Sequence, residues 1–179
     1  MSERIKHKVF ARHSQVKAAD WLSIPLIKRC ILTALEAEGM DSPCEVSVLV
    51  TDERSIRGIN HEFRGINAPT DVLSFPMQER SSYEHLTLDG WANLDENLDP
   101  ETGLLPLGEI VLSAERVDKQ AREYGHSKDY ETAYLTVHST LHLLGYNHVD
   151  EAEDKKRMRE RERAIMEEIV VKYAVDGEI

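Results

Sequence analysis

No apolar run in this chain approaches the roughly 20 residues that a membrane-spanning helix needs. The opening residues, Met-Ser-Glu-Arg-Ile-Lys-His, lack the apolar centre of a secretory signal. These two absences set the expectation of a cytoplasmic protein with no membrane partner. Cysteine is nearly absent. Cys30 and Cys44 have neither zinc-finger spacing nor a disulfide-rich context, so they predict two buried thiols. No internal repeat or low-complexity tract occurs. Positive charge is also short: 22 Lys and Arg stand against 33 Asp and Glu, a net charge of −11. That excludes a protein whose whole surface binds nucleic acid. It does not exclude a local basic patch, because screening confines each patch to roughly 10 Å. Arg4, Lys6, Lys8, Arg12 and Lys17 form one such run against Glu3 alone, whereas residues 79–101 are strongly acidic.

What remains is an ordinary globular composition, with 41% hydrophobic and 31% charged residues in 179, enough for one domain with a real core. Residues 4–10 alternate weakly and predict an edge strand guarded by lysines. Leu26, Ile27, Cys30, Ile31, Ala34 and Leu35 recur at helical spacing after Pro25 and stop at Gly39. Residues 45–51 alternate as a buried strand, and Asp52 is placed to cap a helix that Gly65 ends. Val72 to Phe75 predicts a strand stopped by Pro76. Residues 77–107 predict a mobile acidic excursion with little regular structure. Residues 108–113 predict another strand, with Ser113 capping the helix that follows. Ser127 is placed to cap a helix whose core stripe is Tyr130, Ala133, Tyr134, Val137, Leu141 and Leu144. A charged helix from Asp150 to Lys172, with Met158, Ile165, Ile169 and Val170 inward, closes the chain. Short strands among helices predict a single α/β or α+β layer domain over 1–179.

The chemistry concentrates in His138-Ser-Thr-Leu-His-Leu-Leu-Gly-Tyr-Asn-His148. His138 and His142 are four apart, which on a helix places both imidazoles on one face. Gly145 permits the turn that returns His148 toward them. Three neutral imidazoles leave a tetrahedral metal one open position, the form of a catalytic zinc site. Such a metal lowers the pKa of a water to about 7, and hydrolysis follows. The same His-x-x-x-His-x-x-Gly-x-x-His frame occurs in metzincin proteases, which carry Glu after the first His as general base. Ser139 stands there instead. A peptidase would need a carboxylate from elsewhere, with Glu109 or Asp71 as candidates.

The histidine stretch resembles the signature of the YbeY endoribonucleases. Two more stretches extend the resemblance: Arg64-Gly-Ile-Asn-Ala-Pro-Thr-Asp-Val-Leu-Ser-Phe-Pro76 and Leu107-Gly-Glu-Ile-Val-Leu-Ser113. With the elements between them they cover roughly residues 45–170 in matching order. The resemblance implies a compact α+β domain with a small mixed sheet of about four strands packed with helices. It implies one zinc ion on His138, His142 and His148, and Arg64 beside the metal cleft. The candidate catalytic residues are then Arg64 and His138. The implied activity is metal-dependent cleavage of single-stranded RNA, in maturation of the 3′ end of small-subunit ribosomal RNA and in ribosome quality control. The implied partners are ribosomal RNA and proteins of the small ribosomal subunit. Arg64 suits that chemistry by itself, because a guanidinium donates a fork of hydrogen bonds matched to phosphate. Three positions depart from the resemblance: Ser139 for glycine, Asn147 for aspartate and Glu109 for aspartate. Asn147 keeps an acceptor beside His148 without the charge. The competing readings are a ribosome-assembly binding factor with a structural metal and a zinc-dependent peptidase.

Overall fold

Valines at alternate positions organise the sheet. In β2 (Cys44–Thr51) the side chains of Cys44, Val46, Val48 and Val50 are buried on one face, and Glu45, Ser47 and Leu49 are half-buried on the other. The computed structural model describes residues 6–14, 20–40, 42–78, 97–146 and 152–175. In it β2 lies parallel to β1 (Lys8–His13) on one side and parallel to β4 (Leu105–Ser113) on the other, and β3 (Val72–Pro76) runs antiparallel to β4. The order is β1-β2-β4-β3, so β1 and β3 are the edges. This is the expected four-stranded mixed sheet. The first strand begins later than the sequence suggests, because pairing with β2 runs from Lys8 to His13. Residues 4 and 5 lie outside the described residues.

Helices α1 (Ile24–Ala37), α4 (Lys128–Leu143) and α5 (Ala152–Tyr173) pack together, and α1 and α4 also meet the sheet. Buried Ile27, Ile31 and Leu35 from α1 join Val137, Leu141 and Leu143 from α4 in one core with Met158, Ile165 and Ile169 from α5. Helices α2 (Glu53–Arg64) and α3 (Ala114–Tyr124) complete the fold. A smaller core of Ile56, Leu73 and Val111 sits between α2 and the opposite face of the sheet. Asp52 accepts from the Ser55 amide at 2.7 Å, and Gly65 ends α2 with φ 71°. Ser127 accepts from the Tyr130 amide at 3.0 Å. Ser23, ahead of Pro25, accepts from the Leu26 amide at 3.3 Å.

Two expectations change. Ser113 precedes α3 but makes no capping bond. It is still a strand residue, paired with Thr51 and donating its amide to the Asp71 carbonyl at 2.8 Å, and its buried Oγ has no hydrogen-bond partner among the described residues. The strand expected at Gly108 starts at Leu105, whose amide donates to the Pro43 carbonyl at 2.8 Å. Just before it, Asp99 accepts from the amides of Glu101 and Thr102 at 2.9 and 2.8 Å, a local turn where little order was expected. Residues 79–96, the bulk of the expected acidic excursion, lie outside the described residues, as does the Asp150 start of the last helix.

Gly108 fixes how closely β3 and α4 approach β4. Its φ is +143°, and a Cβ there would stand 2.2 Å from the Phe75 carbonyl oxygen and 3.0 Å from Leu143 Cδ2. Gly108→Ala therefore has to push the edge strand off its neighbour. The expected cost is about 2–4 kcal/mol, read as a lowered midpoint in urea unfolding. A midpoint equal to that of the parent chain would refute the constraint.

Candidate metal and phosphate cleft

Helix α4 is buried on almost every side. After its first turn the residues not buried are Tyr134, His138 and His142, each four positions from the next. They form one stripe along a helix otherwise embedded in the core, so the backbone that carries the imidazoles cannot shift without disturbing packing all round. Ser139, next to His138, points the other way. It is fully buried, and its Oγ finds no hydrogen-bond partner among the described residues. It is outside the cleft and cannot serve as a base there.

The end of α4 shapes the second histidine. Leu144 caps the helix, Gly145 turns with φ 91°, its amide donates to the His142 carbonyl at 3.0 Å, and the Tyr146 amide donates to Leu141 at 3.0 Å. This is a Schellman turn, and glycine is required at its left-handed position. The turn swings the Tyr146 carbonyl back to accept from His142 Nδ1 at 2.8 Å. The Tyr146 hydroxyl donates to Glu38 at 2.5 Å, and Arg161 donates to the same carboxylate at 2.6 Å. One helix turn earlier, His138 Nδ1 lies 2.6 Å from Glu162 Oε1. The Tyr134 ring stacks near His138 at 6.2 Å between centroids, and burial pushes its phenol up to about 12, with nearby Glu162 adding to the shift.

The two Nε2 atoms meet 3.1 Å apart, with the rings at 83°. A carbonyl can only accept, so His142 carries its proton on Nδ1. An ionised Glu162 imposes the same tautomer on His138. With a proton on Nδ1, each Nε2 offers a lone pair toward the other, and a cation could be shared between two such acceptors. Zinc–nitrogen bonds of about 2.0–2.1 Å at a tetrahedral angle require roughly 3.3 Å between ligand nitrogens, close to the spacing here. The donor set therefore fits a metal. His148, the expected third ligand, lies outside the described residues together with Asn147. Among the described residues no group of three His, Cys, Asp or Glu side chains converges on one point.

Arg64, in the last turn of α2, lines the same cleft as His138 and His142, a space of about 730 Å³. It is exposed, makes no ion pair among the described residues, and donates only a long 3.4 Å bond to the Ser74 carbonyl. The two candidate carboxylates separate. Asp71 lines the cleft but already accepts from the Val72 amide at 2.7 Å, Gln120 at 2.9 Å and Thr70 at 3.1 Å. Glu109 lies on the opposite face of the sheet, in a second hollow beside Phe10, Arg12, Phe63 and Phe75. The period of two along β4 puts it there. Cys30 and Cys44 are both buried as expected. Burial pushes the Cys30 thiol up to about 12, so it is no nucleophile.

Two residues that serve the histidines escaped the sequence reading: Glu162 and Arg161. Their signal was present, since Glu162 interrupts an apolar stripe between Met158 and Ile165.

The family model described as Endoribonuclease YbeY matches residues 10–170. Among curated proteins, an Endoribonuclease YbeY of Clostridium acetobutylicum is 47% identical over 147 residues, covering 78% of this chain and 84% of that protein. Another, from Clostridium kluyveri, is 43% identical over 156 residues, covering 87% and 93%. A third, from Lachnoclostridium phytofermentans, is 43% identical over 147 residues, covering 80% and 86%. The solution structure of a Thermotoga maritima protein aligns with TM-score 0.59 and 24% identity over 93% of this chain and 92% of that one, a likeness of fold.

Because the Ser139 hydroxyl is buried without a partner among the described residues, Ser139→Ala is expected to raise stability by about 1 kcal/mol, measured by chemical unfolding. Destabilisation of that size would show that the hydroxyl is satisfied.

Proposed function

From the chain's membership of the Endoribonuclease YbeY family, we propose that the cleft between β3 and α4 hydrolyses single-stranded RNA. The proposed substrate is ribosomal RNA, with maturation of the small-subunit 3′ end and ribosome quality control as the setting. Small-subunit proteins are then neighbours, and the cytoplasm is the compartment. The observation that carries the reading is the pairing of two converging imidazole Nε2 atoms with an arginine that makes no ion pair among the described residues, in one cleft.

His138 and His142, with His148 from the sequence, would hold one divalent ion, zinc by preference for three imidazoles. Bound there, the ion supplies Lewis acidity and a water acidified to neutral pH. Arg64 addresses the phosphodiester. Negative charge grows on the non-bridging oxygens as the phosphorus is attacked, and a guanidinium at the cleft wall stabilises it more than it stabilises the ground state. Glu162 and the Tyr146 carbonyl keep the imidazoles from rotating away. Half-burial of both rings leaves one side open to substrate.

A peptidase fits less well. Glu109 faces away from the histidines, and Asp71 is occupied by three donors. An assembly factor with a structural metal would leave Arg64 without a task.

Purified full-length protein is expected to cut a single-stranded RNA and to stop when a chelator is added. Arg64→Ala should lower kcat about 100-fold while retaining bound metal. Undiminished cleavage after His138, His142 and His148 are all changed to alanine would overturn the reading. RNA binding that survives chelation, with no turnover, would favour the assembly factor.

A further inference from the structure

Glu162 occupies a position where the fold asks for an apolar residue. On α5 it follows Met158 by four and precedes Ile165 by three, all on the face turned into the core. It is 6% exposed, and its neighbours around that face include Met166 and Ile169. A leucine there would complete the stripe. A carboxylate in the same place must be matched by hydrogen bonds or it opposes folding. Among the described residues its hydrogen-bond partners are His138 Nδ1 at 2.6 Å and the Tyr134 hydroxyl at 3.5 Å. Both lie on the cleft stripe of α4, and neither Glu162 nor α5 belongs to the three stretches that carry the family resemblance.

We propose that Glu162 is the positioning residue of the centre. Its carboxylate holds the Nδ1–H tautomer of His138, aims the Nε2 lone pair at the point shared with His142, and adds negative charge behind the ring. The inference rests on reading the cleft as a metal site, and it deepens that reading. The two histidines are held differently. His142 bonds a neutral carbonyl fixed by the turn after α4, a contact that no side-chain substitution removes. Among the described residues, His138 Nδ1 meets a side chain from another helix. A carboxylate behind a ligand imidazole raises its basicity, and losing such a partner typically weakens metal affinity by about 10–100-fold. Adjacent Arg161 acts on the other side, through Glu38 and the Tyr146 hydroxyl. One turn of α5 thus supports both imidazoles.

Glu162→Leu and Glu162→Gln separate the roles in the full-length chain. Three quantities are read: the unfolding midpoint of metal-free protein, zinc affinity by competition with a chromophoric chelator, and the imidazole nitrogen shifts of His138 at about pH 8, above the ordinary histidine range. Glu162→Leu should leave the midpoint unchanged or raised, weaken zinc about 10–100-fold, and release the tautomer. Glu162→Gln keeps an acceptor without the charge. It should hold the tautomer and show a zinc affinity between those of the parent and the leucine variant. A merely structural glutamate would lower the midpoint and leave the tautomer fixed. An unaltered tautomer in Glu162→Leu overturns the proposal. If that variant does not fold, parental zinc affinity in Glu162→Gln overturns it. A tautomer that is released in a chain whose parent binds no zinc supports the positioning role and overturns the metal reading instead.

Discussion

Two imidazole nitrogens 3.1 Å apart are the constraint from which the rest of the cleft follows. Side chains one turn apart on an exposed helix would rotate to avoid opposed lone pairs, since each torsion has other wells within easy reach. Here neither ring is free to do so. Each is gripped at Nδ1, one by the Glu162 carboxylate and one by the Tyr146 carbonyl. The facing of the two Nε2 atoms is therefore set during folding, and an ion taken up between them would not have to order the rings.

Such organisation requires a backbone that does not give. Helix α4 meets this requirement by being buried nearly all round, with partly exposed residues after its first turn only at every fourth position. Helix α1 lies on one side and α5 on another. The Glu38–Arg161 pair ties the end of α1 to α5 beside Tyr146. The sheet contributes through its edge. Alternate residues of β3 face opposite sides, so Ser74 lines the cleft while Phe75 and Leu73 pack beneath α2. Gly108 lets that edge lie close enough to α4 to close the cleft wall. A residue between two strands and a residue on the last helix thus serve one pair of side chains.

How much of this the sequence disclosed depends on the range of the interaction. Local signals were legible. Asp52, Ser127, Gly65 and Gly145 act within a few residues of themselves, and each performs the expected turn or cap. The period-four spacing placed His138 and His142 on one face, and they are together. Ser113 precedes its helix as expected but makes no capping bond; it is the last residue of a strand whose pairing is invisible in the local pattern. Glu109 was a candidate for the cleft because its charge was visible and its facing was not. The register of β4 sends it to the other side. Glu162 was passed over because a charged residue on a charged helix reads as surface. Its significance came from the stripe it interrupted, and only the partner 24 positions away explains it.

Arg64 is held in the opposite manner from the histidines, and the contrast bears on how a polyanion could enter. The imidazoles are gripped from behind; the guanidinium is exposed and, among the described residues, reaches one distant carbonyl. A carboxylate partner would have fixed it and cancelled its charge at the same time. Asp71, the acidic residue on the same wall, is kept occupied by three donors instead. With a net charge of −11 the chain as a whole repels RNA, the proposed substrate. Screening limits that repulsion to roughly 10 Å at moderate salt, so the charges within the cleft decide what is admitted. Among the described residues the cleft wall carries an exposed arginine with no ion pair, inside an acidic protein.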